Sequence, residues 1–130
     1  MPLNDPLAAC LSKIMNAERV SKTTCLIKPS SKIIKKVLEI MNENMYIGQV
    51  KEIQESRGNH LEVDLIQKIN NCNVIKPRFN VKNKLFEKYE KRYLPAKDFG
   101  IIVVSTSLGI MTHKEAKKKG IGGKLIAYCY

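Results

Sequence analysis

At 130 residues and 14.8 kDa, the chain is long enough for one ordinary core or two small layered subdomains, but not for two large independent domains. Its formal net charge of +11 favours a polyanionic partner, and nucleic acid more than membrane, because no apolar stretch of about 20 residues and no basic amphipathic helix with aromatic anchors is present. Residues 76–130 carry thirteen Lys and Arg against four Asp and Glu, whereas residues 1–75 carry ten against eight. The anion-facing surface should therefore draw mainly on the second half.

The N-terminus and the cysteines bear on the cellular compartment. The stretch MPLNDPLAAC lacks the basic start, apolar stretch and cleavage site of a secretory signal, so we expect a cytosolic location and no membrane partner. The cysteines show no C-x-x-C spacing, which predicts reduced, partly buried small hydrophobes and neither a zinc site nor a disulfide framework. These cysteines are Cys10, Cys25, Cys72 and Cys129.

In chain order, the first predicted element is a helix in NDPLAACLSKIMNAERV. Asp5 supplies an N-cap and Pro6 a first helical residue. Apolar residues at i, i+4, i+7 and i+8 form one stripe of an amphipathic helix. These are Leu7, Leu11, Ile14 and Met15.

The rest of the first half predicts a strand, a helix and a hairpin. The β-branched stretch KTTCLIK reads as a strand, and PSSKIIKKVLEIMNEN has helical spacing through Ile33, Ile34, Val37, Leu38 and Met41. Alternating residues on both sides of positions 57–59 predict a β-hairpin, in which His60 is an exposed residue opening the second strand. The order is α-β-α-β-β.

The second half predicts strands around two helices. A strand interrupted at Pro77 precedes NKLFEKYEKRYLPAKDFG, which is helical in propensity until Pro95. A strand over 99–104, a turn in STSLG, a short helix and a closing strand in GGKLIAYCY follow. Thr112 with Glu115 forms the capping box of the short helix, and Gly120 ends it.

These elements predict an α+β fold of two small packed subdomains. The first, over 1–70, is α-β-α-β-β, and the second, over 71–130, is mostly antiparallel β with a short helix. We expect the second subdomain to carry the contact with nucleic acid because it holds most of the positive charge.

The hydroxyl run Ser105, Thr106 and Ser107 is open to three interpretations: a turn, a nucleophile site, or a row of hydrogen-bonding groups for a ligand. A nucleophile needs a base, and His113 is close in sequence, but no acidic residue that could orient it is evident beside it in the sequence, and G-x-S-x-G is absent. We therefore predict that the protein is not an enzyme. Ser and Thr hydroxyls suit the shallow minor groove of an RNA helix, while a simple turn remains the alternative.

Two further stretches near the hydroxyl run carry glycines and lysines. KKKGIGGK is not a phosphate loop, because neither Ser nor Thr follows the lysine and the glycines come after a helix. Gly122 and Gly123 predict a close backbone approach to the hydroxyl run or to a ligand lying there. The lysines of KEAKKK, Lys118 among them, are either a solvated helix face or a wall that tracks phosphates.

The run GIIVVSTSLGIMTHKEAK resembles the signature of the small-subunit ribosomal protein eight family. The stretches DPLAACLSKIMNA, PSSKIIKKVLEIMNENMYI and GGKLIAYCY are similar to the same family, so the resemblance spans nearly the whole chain. It implies the two-part α+β fold and a non-catalytic, primary RNA-binding protein without cofactors. Its expected partners are the central domain of small-subunit ribosomal RNA, whose assembly it promotes, and neighbouring ribosomal proteins, in the cytoplasmic ribosome.

The resemblance also implies which residues contact RNA. The specific contact falls on Ser105, Thr106 and Ser107, with Gly122 and Gly123 beside it. The backbone contact of the N-terminal half falls on Ser30, Ser31 and Lys32, with a further contact at Asn4.

Two departures from the bacterial pattern resemble the archaeal and eukaryotic branch. Lys124 replaces a usual acidic residue after the glycines and is expected to add positive charge to the interface, and the segment before Gly100 is longer. The alternative function is a translational regulator that binds a messenger RNA mimicking the ribosomal site.

Overall fold

The computed structural model of the protein describes residues 6–27, 32–54, 60–76, 78–96 and 99–130. The chain divides into two compact units, Met1–Asn70 (unit 1) and Asn71–Tyr130 (unit 2). Across the described stretches, no helix combines the length and the apolar character that crossing a membrane would require.

Unit 1 has the predicted order of elements. It contains α1 (Pro6–Arg19), β1 (Thr24–Ile27), α2 (Lys32–Glu43), β2 (Val50–Ile53) and β3 (His60–Asp64). The three strands form an antiparallel sheet in the order β1-β3-β2. The predicted helix cap at Asp5 and the hairpin turn at 57–59 lie outside the described residues.

The core of unit 1 follows the helical spacing of the sequence. All four residues of the predicted α1 stripe are buried, and α2 buries Ile34, Val37, Leu38, Ile40 and Met41. Ile33 is 39% exposed, so the prediction was wrong at this residue. The buried face of α2 begins one residue later, at Ile34. His60 opens β3 as predicted, but it is buried because β3 is the central strand of the sheet.

In its described residues, unit 2 is an antiparallel sheet with two α-helices and a short 3-10 helix, Asn83–Leu85. Its elements are β4 (Cys72–Val74), β5 (Asn80–Val81), α3 (Phe86–Tyr93), β6 (Ile101–Thr106), β7 (Gly109–Thr112), α4 (His113–Lys119) and β8 (Gly123–Cys129). The strand order is β4-β8-β6-β7, and β5 also pairs with β8. The chain is therefore α+β, as predicted.

The apolar core of unit 2 joins the helices to one face of the sheet. Phe86 of α3 and Ala116 of α4 belong to the same buried cluster as Ile102, Val104 and Leu125 of the two central strands. Since side chains alternate along a strand, Ser105 belongs to the opposite face. One sheet face thus packs against helices, and the other carries the polar residues of interest.

A β-bulge in β8 sets which residues face the helices. Val103 pairs with Ala127 and Val104 with Leu125, so Ile126 is an extra residue in β8. All three residues from Leu125 to Ala127 are buried, although the sequence alternates Leu125, Ala127 and Cys129 with Lys124, Ile126 and Tyr128 and so predicts only the first set on one face. The carbonyl of Ile126 accepts a hydrogen bond from the amide of Ile75 at 2.9 Å.

The four cysteines are buried, as predicted, and none of them is joined in a disulfide. Cys72 and Cys129, far apart in sequence, are direct cross-strand partners in β4 and β8. Such pairs become neighbours only through strand register, which the spacing of cysteines in the sequence does not show.

Candidate nucleic-acid interface

The hydroxyl run lies at the end of β6 and in the turn that follows. Ser105 pairs with Ile110 and Thr106 with Gly109, so these two hydroxyl residues belong to the strand and only Ser107 and Leu108 form the turn. The predicted turn over the whole STSLG stretch was therefore too long. Gly109 has φ +121°, a conformation that favours glycine and that lets β7 begin immediately after the turn.

Thr106 stabilises this turn through its hydroxyl. The Thr106 hydroxyl donates to the carbonyl of Gly109 at 2.7 Å and accepts from the amide of Leu108 at 3.2 Å. Ser105 and Ser107 are both exposed. The hydroxyl run thus has two roles, because one hydroxyl holds the turn while two are presented to solvent.

Strand register extends Ser105 into a polar row across the sheet. Ser105 in β6 lies opposite Lys124 in β8, and Lys124 lies opposite Asn80 in β5. Directly paired residues of neighbouring strands share a face of the sheet, and all three are exposed. We call Asn80, Lys124 and Ser105 the polar row; it combines an amide, an ammonium group and a hydroxyl.

The paired glycines lie beside the polar row and are required by close backbone packing. A Cβ atom at Gly123 would lie 2.3 Å from the carbonyl oxygen of Ser105, and one at Gly122 would lie 2.2 Å from that of Val81. No side chain could be added at either position without moving a neighbouring strand. The predicted approach to the hydroxyl run is confirmed for Gly123, whereas Gly122 approaches the end of β5.

The short helix α4 has the predicted ends. The hydroxyl of Thr112 accepts from the amide of Glu115 at 3.3 Å, and Gly120 adopts the left-handed conformation with φ 69°. Lys118 and Lys119 are exposed in its last turn. Lys117 instead forms an ion pair with Glu90, so it does not belong to a phosphate-facing wall.

His113 is used by the fold and does not serve Ser107 as a base. It is 1% exposed; its Nδ1 accepts from the amide of Ile102 at 3.1 Å, and its Nε2 lies 3.3 Å from Oε1 of Glu90. Burial has the largest effect and lowers the pKa of His113. The Lys117 ammonium lowers this pKa further, whereas the Glu90 carboxylate raises it. The nucleophile interpretation fails because both ring nitrogens are engaged inside unit 2 while Ser107 is exposed.

The structure brings some of the predicted contact residues together. Ser105, Ser107, Gly123 and Lys124 lie on β6, its turn and the paired end of β8. Lys32 begins α2 in unit 1 and is exposed. The remaining predicted residues of the N-terminal half, Asn4, Ser30 and Ser31, lie outside the described residues.

Asn80 was missed by sequence reasoning, as was Lys82. Lys82 has its Cα 3.0 Å from the position that a Gly122 Cβ would occupy, and its side chain is exposed. β5 has only two residues, and no periodic pattern can be detected over so short a strand. The available signal was the pair of polar residues that flank Val81, a few residues after Pro77.

No group of three or more His, Cys, Asp or Glu residues capable of holding a metal ion occurs within the described ranges.

A comparison with known families agrees with this architecture. The model of the family described as Ribosomal protein S8 matches residues 5–130, nearly the whole chain. The match includes both units and the polar row. The chain therefore belongs to the ribosomal protein S8 family, a family of small-subunit ribosomal proteins.

Proposed function

We propose that this protein binds the central domain of small-subunit ribosomal RNA and promotes its assembly, with the polar row and the β6–β7 turn as the specific contact. Family membership implies residence in the ribosome beside ribosomal RNA and other ribosomal proteins, and a structural rather than catalytic role. The RNA segment and the contact residues are our proposal.

The polar row is the observation that carries this proposal. Its hydroxyl and amide can each donate and accept, and its ammonium donates to phosphate or to base acceptors. The minor groove of an RNA helix is wide and shallow and displays 2′-hydroxyls, base edges and nearby phosphates. The polar row at the sheet end offers hydrogen-bonding groups that match those displayed in such a groove.

The glycines support this surface by letting the strands lie close together. A Cβ atom at Gly123 would lie 2.3 Å from the carbonyl oxygen of Ser105, so the glycine keeps β8 close to β6 beside Lys124. Ser107 is exposed in the adjoining turn. It adds a second exposed hydroxyl next to the polar row.

Charge supports the same partner. Unit 2 carries thirteen Lys and Arg against four Asp and Glu. Exposed lysines such as Lys118 would contact phosphates without reading sequence, whereas the polar row would supply the specific part. We further propose that Ser30, Ser31 and Lys32, with Asn4, contact RNA backbone from unit 1, and that the chain belongs to the archaeal and eukaryotic branch.

The test measures the affinity for a central-domain RNA fragment and for a scrambled RNA of equal length at one salt concentration. We expect Ser107→Ala to weaken specific binding by about 5- to 100-fold, because a buried hydrogen-bond partner on the RNA is left unsatisfied. Binding to scrambled RNA and the unfolding temperature should stay the same.

Ser12→Ala is the matched control. Ser12 is an exposed serine of α1, so removing its hydroxyl should change neither affinity. If Ser107→Ala leaves the ratio of specific to non-specific affinity unchanged, the proposed contact is wrong. Sequencing of RNA recovered with the protein from lysate separates ribosomal RNA from a messenger RNA that mimics it.

A further inference from the structure

A second surface of unit 2 combines aromatic rings with cations. Near α3, five aromatic rings and one guanidinium group form a chain of contacts, which we call the aromatic strip. It consists of Tyr89, Phe79, Arg92, Tyr93, Tyr128 and Tyr130. The polar row does not include any of them.

The contacts within the strip are continuous. The rings of Phe79 and Tyr89 have centroids 5.5 Å apart, and the guanidinium of Arg92 lies 5.4 Å from the Phe79 centroid and 5.6 Å from that of Tyr93. Tyr93 stacks on Tyr128 at 5.5 Å, and Tyr128 on Tyr130 at 6.1 Å. Arg92 thus connects two aromatic pairs.

The strip is held by the sheet rather than by a loop. The carbonyl of Phe79 accepts from the amide of Leu125 at 3.0 Å, and Tyr130 exchanges two backbone hydrogen bonds of 2.9 Å with Asn71. All five rings are half-buried and pack against the core of unit 2. Part of each ring therefore stays at the surface in a fixed position.

The strip lies on a different face from the polar row. Tyr128 pairs with Ile102 across the strands, and Ile102 belongs to the core cluster beneath the helices. Ser105 belongs to the opposite sheet face. A ligand on the strip and RNA on the polar row would therefore not compete for the same surface.

Charge identifies the class of ligand. On the outer side of α3, Lys88, Lys91 and Arg92 are exposed, while Glu87 is the exposed acid and Glu90 is turned inward to Lys117. Lys88 lies 5.8 Å from the Tyr89 centroid. Cations over aromatic rings fit a ligand that is both anionic and planar, which an unpaired nucleotide is and an acidic peptide is not.

We propose that the aromatic strip binds a single-stranded RNA segment, whose bases stack on Arg92 and the neighbouring rings. Single-stranded RNA is recognised in this way, by stacking on aromatic side chains or on guanidinium planes beside basic side chains. The inference rests on the proposed function only in that the partner is RNA. It adds a second contact, so the protein would hold a helical segment on one face and an unpaired segment on the other.

The test uses tyrosine fluorescence of the full chain, which has five tyrosines and no tryptophan. A twelve-residue oligouridylate should quench this emission in a saturable way, because stacked bases quench rings that they contact. We expect Arg92→Ala to weaken the affinity by about 5- to 100-fold. Arg92→Lys should weaken it nearly as much, because lysine keeps the charge but loses the plane.

Arg19→Ala is the matched control. Arg19 is an exposed arginine in the last turn of α1, as Arg92 is in α3, so both variants remove the same charge from a helix end. Only Arg92→Ala should affect oligouridylate binding strongly. Circular dichroism and the unfolding temperature of each variant should match those of the unsubstituted protein, which excludes a fold defect as the cause.

Three results would overturn the inference. They are absent quenching, equal weakening by Arg92→Ala and Arg19→Ala, and polyglutamate that binds as tightly as oligouridylate and depends equally on Arg92. The proposed function is tested by a different measurement, the effect of Ser107→Ala on affinity for the central-domain fragment, so the failure of one proposal can be told from the failure of the other. If Arg92→Ala loses oligouridylate binding but keeps its affinity for the central-domain fragment within about twofold, the result supports the aromatic strip as a binding site independently of the proposed function.

Discussion

Glu90 is a buried charged residue that links α3 to α4 in unit 2. It is 7% exposed, and its carboxylate contacts both the Lys117 ammonium and the His113 ring. A buried carboxylate without such partners would be costly, so the pair from α4 allows α3 to pack closely. One consequence is that Lys117, which is paired with Glu90, is not available to contact RNA phosphates.

His113 gives the first prediction at this scale, a loss of stability in mild acid. Burial lowers the pKa of His113, helped by Lys117 and Lys114 and opposed by Glu90. The folded state therefore binds this proton less readily than the unfolded chain, whose histidine pKa is about 6.5. The stabilisation is present above about pH 6.5 and is lost as the pH falls below it.

We expect the free energy of unfolding in urea to decrease from pH 7.5 to pH 5.5. His113→Asn, whose side-chain oxygen can still accept from Ile102, should flatten this dependence even if it lowers stability throughout. The same slope in the variant and in the unsubstituted protein would mean that another group is responsible.

At the residue scale, the burial of the two histidines could not be predicted from the sequence. Leu7 and Leu11 could be predicted as buried because helical spacing repeats over several turns. His60 and His113 are buried because one lies in a central strand and the other beneath a backbone amide of β6. No local pattern specifies those neighbours, so His60 was expected to be exposed and the burial of His113 was not predicted.

At the scale of elements, long patterns were predicted and short ones were not. The helices α1 and α2 and the cap of α4 follow from spacing and from one capping box. β7 was missed because it has four residues and its last one, Thr112, also caps α4. The bulge at Ile126 could not be predicted either, because it is a property of the pairing between β6 and β8.

The pairing of β6 with β8 predicts the effect of Gly123→Ala. The added methyl would lie 2.3 Å from the Ser105 carbonyl oxygen, so the strands must separate beneath the polar row. We expect a stability loss of about 1–3 kcal/mol in urea denaturation, as for other overpacked sites. RNA affinity should fall as well, because the distance between Ser105 and Lys124 in the polar row would change.

Gly120→Ala provides the comparison. Its added methyl would meet no atom within 4 Å, but φ is +69°, so it should cost about 1 kcal/mol through backbone strain alone. Its RNA affinity should remain unchanged. Equal RNA affinities for the two variants would show that the strand contact at Gly123 does not position the interface.

At the scale of the whole molecule, the distribution of charge predicts that unit 2 carries the proposed interface. Thirteen basic residues against four acidic ones lie in the same unit as the polar row and the aromatic strip. The sequence could not show which lysines remain available, because that depends on the inward orientation of Glu90. Lys117 and Lys118 are adjacent in sequence yet have different surroundings.

This difference gives the last prediction, on the salt dependence of binding to the central-domain fragment. The logarithm of affinity should fall linearly with the logarithm of salt concentration, by roughly 0.7 to 0.9 for each phosphate that is neutralised. Lys118→Ala should make that slope shallower by about one unit and leave stability unchanged. Lys117→Ala should leave the slope unchanged and cost about 1–3 kcal/mol of stability, because the buried Glu90 carboxylate loses its ion pair with the Lys117 ammonium. Two variants with the same slope would show that the ion pair with Glu90 does not withhold Lys117 from RNA.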